Sequence, residues 1–315
     1  MRIVLIGQAA FGEKVLEAIL NKGEEVVVGV FCPPDRADKP DPLRQLAERQ
    51  GIPVYPSRRM RDPAVHDLYV KLRPDLTVMA FVTDIVPESI LNTPRYGTIQ
   101  YHPSLLPKHR GGSAINWAVI NGETKTGLTI FWPDRGIDTG PILLQKEVAI
   151  APDDTTGSLY FNKLFPLGVE AIVEAIEMVK NGCAPRIAQD ESQATYEPLC
   201  TQEQVVIHWE WPAVQVYNLI RGSNPQPGAV TTFRAKRLTI FDCQRQVLPG
   251  PRLTLSGAGP AGSGEVLAIG EEGFWVAAGD GSILVKRVQP EGRAKINAPE
   301  FVAASGLKAG DRLAT

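Results

Sequence analysis

Two short stretches of this 315-residue chain carry residue types and spacing suited to chemistry. The first is Tyr101-His102-Pro103-Ser104-Leu105-Leu106-Pro107-Lys108-His109-Arg110-Gly111, and the second is Gly136-Ile137-Asp138-Thr139-Gly140. A histidine titrating near about 6.5 can serve a nucleophile as base and a leaving nitrogen as acid. A carboxylate on a second loop is the group that would orient it. Prolines on either side of Ser104-Leu105-Leu106 make the first loop rigid enough to aim a side chain. Asp138 alone would be read as a turn aspartate capping its own backbone, as would Asp134 four residues earlier. Arg110-Gly111-Gly112 suits either an anion or the lead into a helix over Ser113–Ile120 with Ser113 as N-cap. His109, between Lys108 and Arg110, is expected to be exposed, and His66 and His208 have no supporting context.

The surrounding elements must bring those loops together. Arg2–Ile6, Glu25–Phe31, Val54-Tyr55, Asp75–Phe81 and Gly97–Tyr101 read as apolar strands, alternating with helical patterns after Gly7 and over Leu43–Arg49 and Ala64–Leu72. That alternation predicts an α/β fold, a doubly wound and mostly parallel sheet. His102 then lies at a strand's carboxyl end, where ligands bind in such sheets. Thr126–Trp132 and Ile142–Ile150 predict a hairpin appended to the sheet, with the aspartate turn between its strands. A single long helix is expected from about Thr156 to Asn181, N-capped by Asp153, Asp154 or Thr155 and stopped by Gly182. Residues 182–203 read as a linker. After it, a helix near Ala213–Arg221 and short strands (Leu238–Cys243, Gly264–Ile269, Gly273–Ala278, Gly281–Val288) predict a small β-barrel. The expected domains are 1–203 and 204–315. Gly250–Gly264 reads as a loop without chemistry, and Trp209, Trp211 and Tyr217 as core of the second domain.

Gly7-Gln8-Ala9-Ala10-Phe11-Gly12 sits where a dinucleotide-binding turn would, but it departs from GxGxxG. No acidic residue ends the second strand, so glycines that serve packing are the better reading. Net charge is -2, and residues 201–315 carry 12 Lys+Arg against 10 Asp+Glu, too even a balance for a dominant polyanion partner. Four cysteines without CxxC or CxH spacing fit free thiols in a reducing, cytoplasmic setting and no zinc site. No apolar window reaches the roughly 20 residues of a membrane span.

The loop and turn resemble the 10-formyltetrahydrofolate-using formyltransferase/hydrolase family, whose signature loop reads roughly NxHxSLLPxxRG before a DTG turn. Matching residues are His102, Ser104, Leu105, Leu106, Pro107, Arg110, Gly111 and Asp138-Thr139-Gly140. The resemblance extends over the whole chain and is strongest to the family's hydrolase branch. It implies a formyltransferase-type Rossmann-like domain with an OB-like C-terminal barrel, and 10-formyltetrahydrofolate as formyl donor with no metal. It implies catalytic roles for His102 and Asp138, with Gln100 beside them, and a substrate site from Phe81, Val82, Thr83, Asp84, Ile85, Ser104, Arg110 and Gly111 together with Asp134, Gly136 and Ile137. Transferases of the family carry Asn two residues before the histidine, where it helps hold the formyl oxygen. Gln100 stands there instead, which favours hydrolysis, as does the absence of any formyl-oxidising portion before Thr315. Transfer to an amine on tRNA, a sugar or a peptide is the alternative. The short loop Pro33–Pro42 and the near-neutral second domain count against tRNA. A non-catalytic folate-binding protein is the third reading.

Overall fold

The computed structural model describes residues 1–35, 39–247 and 262–314. The chain runs β1 (Arg2–Gly7), α1 (Ala9–Lys22), β2 (Val26–Cys32), α2 (Pro42–Arg49), β3 (Val54–Pro56), α3 (Pro63–Lys71), β4 (Leu76–Ala80), α4 (Glu88–Leu91), β5 (Thr98–His102), α5 (Ala114–Ile120), β6 (Lys125–Phe131) and β7 (Ile142–Ala149). Then come α6 (Thr156–Leu159), a π-helical turn (Tyr160–Leu164), α7 (Phe165–Lys180) and a 3₁₀ turn (Glu191–Gln193). The remainder is α8 (Ala213–Gly222), β8 (Ala229–Phe233), β9 (Lys236–Val247), β10 (Val266–Gly270), β11 (Gly273–Ala277), β12 (Gly281–Pro290), β13 (Ile296–Asn297), α9 (Ala298–Ser305) and β14 (Leu313–Ala314).

Two compact units divide the chain: Met1–Ala114, Thr126–Ala149 and Phe161–Glu197 form the first, and Ile115–Lys125, Ile150–Tyr160 and Pro198–Thr315 the second. The first holds a seven-stranded sheet in the order β3-β2-β1-β4-β5-β6-β7. Its first five strands pair in parallel, and β6 is antiparallel to β5. Both faces are apolar, as continuous strand runs require. Val4 and Ile6 of β1 share one core with Tyr69 of α3 and with Ile90 and Leu91 of α4. Ile3 and Leu5 point to the opposite face and are equally buried. The order reverses at β1, which has β2 on one side and β4 on the other, so a crevice opens at the carboxyl ends of β1 and β4.

The glycines of the first turn serve packing. A Cβ on Gly7 would strike the Ala80 carbonyl oxygen, and one on Gly12 would meet Leu43 at 2.9 Å. The Ala9 amide donates to the Asp41 carboxylate at 2.8 Å, so a protein anion already occupies the place where a dinucleotide phosphate would bind.

The helix expected over 156–181 is not continuous. Thr155 and Ser158 form a capping box, but one turn later the helix widens into the π turn before α7 begins. Pro166 has no N–H for the carbonyl four residues back, and its ring crowds that carbonyl, which favours a wider turn. Asn181 caps α7, with Gly182 beyond it in the left-handed region at φ +69°.

In the second unit the strands run β10-β11-β12-β9-β8-β14, with β13 on β12. The Leu313 amide donates to the Gly264 carbonyl and the Val266 amide to that of Asp311, each at 2.8 Å, so the sheet's two ends meet and the barrel closes. Trp209 lies in its core, as expected, and donates to Thr231. Trp211 does not: it is 38% exposed and stacks on His208, because it sits beyond the strand face that fills the barrel. Most of Gly250–Gly264 lies outside the described residues. No described helix is long and apolar enough to cross a membrane, and no disulfide joins the four cysteines. Burial pushes the Cys32 thiol up to about 12, as suits a small core residue.

Candidate active site

β5 ends on His102, with β4 on one side and β6 on the other. The strand's period of two puts Gln100 on the same face as His102. Beyond the strand the loop is fastened at every turn. Ser104, fully buried, donates to the Lys108 carbonyl (2.6 Å), and Thr129 of β6 donates to the Ser104 carbonyl while accepting from the Leu106 amide. Gln145 of β7 donates to the Leu106 carbonyl. The proline-braced loop is therefore rigid because the hairpin behind it supplies its hydrogen bonds.

His102 is only 5% exposed, and its Nε2 lies 2.8 Å from the His109 carbonyl. A carbonyl can only accept, so Nε2 carries a proton there. Nδ1 is left facing Asp138, with Nδ1 and Oδ2 3.5 Å apart. The two loops picked out by residue type therefore meet. Asp138 does not cap its own turn: its Oδ2 accepts from the Gly111 amide of the opposite loop at 2.9 Å. Asp134 does the local work instead, accepting from the Gly136 amide and the Thr139 hydroxyl. A Cβ on Gly140 would collide with the Trp132 carbonyl oxygen, so the turn closes only with glycine there.

Seven described non-glycine residues have positive φ: two of them, His109 and Asp138, stand on these loops, and two more, Ala9 and Phe81, follow β1 and β4. Each such residue costs about 1–2 kcal/mol, and strain of this kind gathers at working sites. The crevice also carries apolar side chains left in solvent: Phe81 and Ile85 after β4, and Ile137 in the aspartate turn. Around them Val82 is half-buried, Thr83 accepts from Gln8, and Asp84 accepts from the Met60 amide at 2.6 Å. Exposed apolar edges beside convergent polar groups are the ordinary lining of a small-molecule site.

His109 departs from its expected exposure, and Arg110 serves neither a ligand anion nor solvent. His109 is 3% exposed, because its left-handed backbone turns the side chain inward to Glu197 (3.0 Å) while its carbonyl reaches His102. Arg110 is 2% exposed, and its guanidinium is held by Gln189, by both carboxylate oxygens of Glu191 and by the Tyr196 hydroxyl. These partners come from the stretch read as a linker. Residues Pro185–Glu197 lie as a strap across both loops. Ile187 exchanges hydrogen bonds with Ile142, the Thr195 carbonyl accepts from the Arg110 amide, and its hydroxyl accepts from the His109 amide. Nothing periodic marks the strap, so only its density of polar residues hinted at it. The closest carboxylate set among the described residues, Glu24, Glu25 and Glu177, lies outside these loops and is paired with Lys22 and Lys180.

A family model described as formyl transferase matches residues 1–176, and one described as formyl transferase, C-terminal domain, matches residues 200–306. Cytosolic 10-formyltetrahydrofolate dehydrogenase of Mus musculus is 41% identical over 324 residues, covering 98% of this chain and 35% of that protein. The chain thus spans a minor part of the dehydrogenases it matches. Methionyl-tRNA formyltransferase of Trichlorobacter lovleyi is 37% identical over 318 residues, covering 99% of this chain and 96% of that protein. Among solved structures, HypX from Aquifex aeolicus in complex with tetrahydrofolic acid superposes with a TM-score of 0.66 at 20% identity, covering 96% of this chain and 47% of that one. The N-formyltransferase of Helicobacter canadensis, in complex with folinic acid and dTDP-3-aminofucose, gives 0.67 at 19%, covering 91% and 98%. At such identities these two share the fold alone.

Proposed function

The chain belongs to the formyl transferase family, and on that premise we propose that it hydrolyses the formyl group of 10-formyltetrahydrofolate, releasing tetrahydrofolate and formate. The observation that carries this reading is the buried His102–Asp138 pair, with Nε2 committed to the His109 carbonyl and Nδ1 turned to the carboxylate. The pterin lies against Phe81–Ile85 and against Asp134, Gly136 and Ile137, whose exposed apolar side chains suit a flat heterocycle. Ser104, Arg110 and Gly111 serve the site by fixing the loop, and Gly111 also by holding the Asp138 carboxylate.

In the proposed reaction, water adds to the formyl carbon, the carbonyl pair moves to oxygen, and Asp138 takes the water's proton. His102, with its Nε2–H on the His109 carbonyl, turns Nδ1 to Asp138 and accepts a hydrogen bond from the proton Asp138 has taken, while the Gln100 amide on the same strand face is the donor toward the developing oxyanion. On collapse the C–N10 bond breaks with its electron pair going to N10, which takes the proton held by Asp138. Formic acid and tetrahydrofolate result, the acid giving its remaining proton to solvent as formate, without a redox step.

Transfer of the same group to an amine is the second reading, favoured by the full-length match to a methionyl-tRNA formyltransferase. The test is to follow formate and tetrahydrofolate from 10-formyltetrahydrofolate, with and without amine acceptors. Wild type should release formate with no acceptor present, and His102→Ala and Asp138→Asn should each be slower by about 10²- to 10⁴-fold. Turnover that requires an amine would replace hydrolysis by transfer. Wild type no faster than His102→Ala under every condition would remove catalysis altogether.

A further inference from the structure

We propose that Gln189 is a positioning residue that holds the Asp138 turn and the His102 loop in their working register. The inference rests on the His102–Asp138 reading above and assigns a task to a segment that lies between the two matched family models, which end at 176 and resume at 200.

The Gln189 side chain uses all of its hydrogen-bonding capacity at once. Its Nε2 donates to the carbonyl of Asp138 at 2.8 Å and to that of Gly140 at 2.7 Å. Its Oε1 accepts from Arg110 Nη2 at 2.7 Å and from Nε at 3.2 Å. One planar amide therefore joins the aspartate turn to the loop that carries His102. The task demands two donors and an acceptor on one rigid head: Lys and Arg only donate, an ionised Glu only accepts, and Asn is one methylene shorter. The join bears on geometry that is otherwise weakly held. Asp138 has φ +56°, in the left-handed region that most residues avoid and aspartate tolerates, and beside His102 its carboxylate has one hydrogen bond to the other loop, from the Gly111 amide. With the carbonyls of residues 138 and 140 both fixed, the carboxylate is carried to Nδ1 without sampling the commoner backbone basin. Arg110 completes the brace, since Glu191 and Tyr196 fix the guanidinium on which Oε1 rests.

Two substitutions separate the halves of the brace. Gln189→Leu removes both. Gln189→Glu at pH 8, where an ordinary carboxylate is ionised, keeps the Arg110 side and turns a second acceptor onto the two carbonyls. Both variants should lose about 10- to 100-fold in kcat, the scale of an ångström's misplacement of a catalytic group. KM for 10-formyltetrahydrofolate should stay within about threefold, because the pterin side of the turn is still held by Asp134 through the Gly136 amide and the Thr139 hydroxyl. Activity is expressed per folate site, counted by titration with 5-formyltetrahydrofolate, which corrects for any misfolded fraction. A kcat for Gln189→Glu equal to wild type would overturn the proposal, since Arg110 packing alone would then suffice. So would a loss confined to KM or to the number of sites. A wild-type protein inert toward 10-formyltetrahydrofolate would instead sink the functional reading, a result distinct from an active wild type with indifferent variants.

Discussion

At the scale of the residue, the position two before His102 bears most directly on the proposed choice between water and an amine. Gln100 shares the histidine's strand face and is half-buried beside it. Its amide offers the same donor as the asparagine of family transferases, but one methylene further from the backbone. In the proposed reaction the longer arm sets that donor further from the strand than an asparagine would, and the choice between water and an amine turns on that difference. Gln100→Asn should therefore raise the ratio of amine formylation to hydrolysis, measured as formylated amine against free formate in one reaction. An unchanged ratio would show that the choice of acceptor is made elsewhere. His102 and Asp138 were legible in the sequence because a histidine after an apolar strand and an aspartate between glycines are unusual in type and place. Whether the two residues met was not. The inward turn of His109 was hidden as well, since Lys108 and Arg110 on either side argue for solvent. Only the left-handed backbone reverses that argument.

At the scale of the element, strands and helices of the first unit followed their apolar periodicity closely, because both faces of the sheet are buried and register is set by that pattern. The strap escaped notice for the opposite reason. Its partners lie about eighty residues away in sequence and are met through isolated polar contacts, not through a repeating face. Those contacts give it a pH dependence. The Arg110 guanidinium holds the Glu191 carboxyl below its ordinary range. A lowered carboxyl pKa contributes stability above the unfolded value, and the contribution disappears as pH falls through the folded value. Acidification below about pH 4.5 should therefore loosen residues 185–197 before the sheet unfolds. Hydrogen exchange at a series of pH values would detect this as a selective loss of protection at Arg110 and Thr195. Equal loss across the sheet and the strap would refute it.

At the scale of the molecule, a single cut near residue 203 describes the sequence less well than it describes the family. Within the second unit, Asn116 donates to the Gly222 carbonyl, Trp117 to that of Pro198, Thr156 to that of Gly222, and Arg221 to that of Asp154. Ile120 packs on the barrel's core cluster. A fragment ending at residue 203 lacks the partners of its own segments 115–125 and 150–160. It should bind a hydrophobic dye and self-associate in sedimentation, whereas the full chain should not. A monomeric, dye-silent fragment with a sharp melting transition would count against this. No composition shift marks the two segments, which is why the sequence reads as one block followed by another. Their placement also bears on how such a chain can change over time. Because the polypeptide passes between its two units five times, no one crossover between two genes exchanges a whole unit for its counterpart. Half-and-half hybrids would inherit mismatched segments, so the two units are expected to pass from gene to gene together.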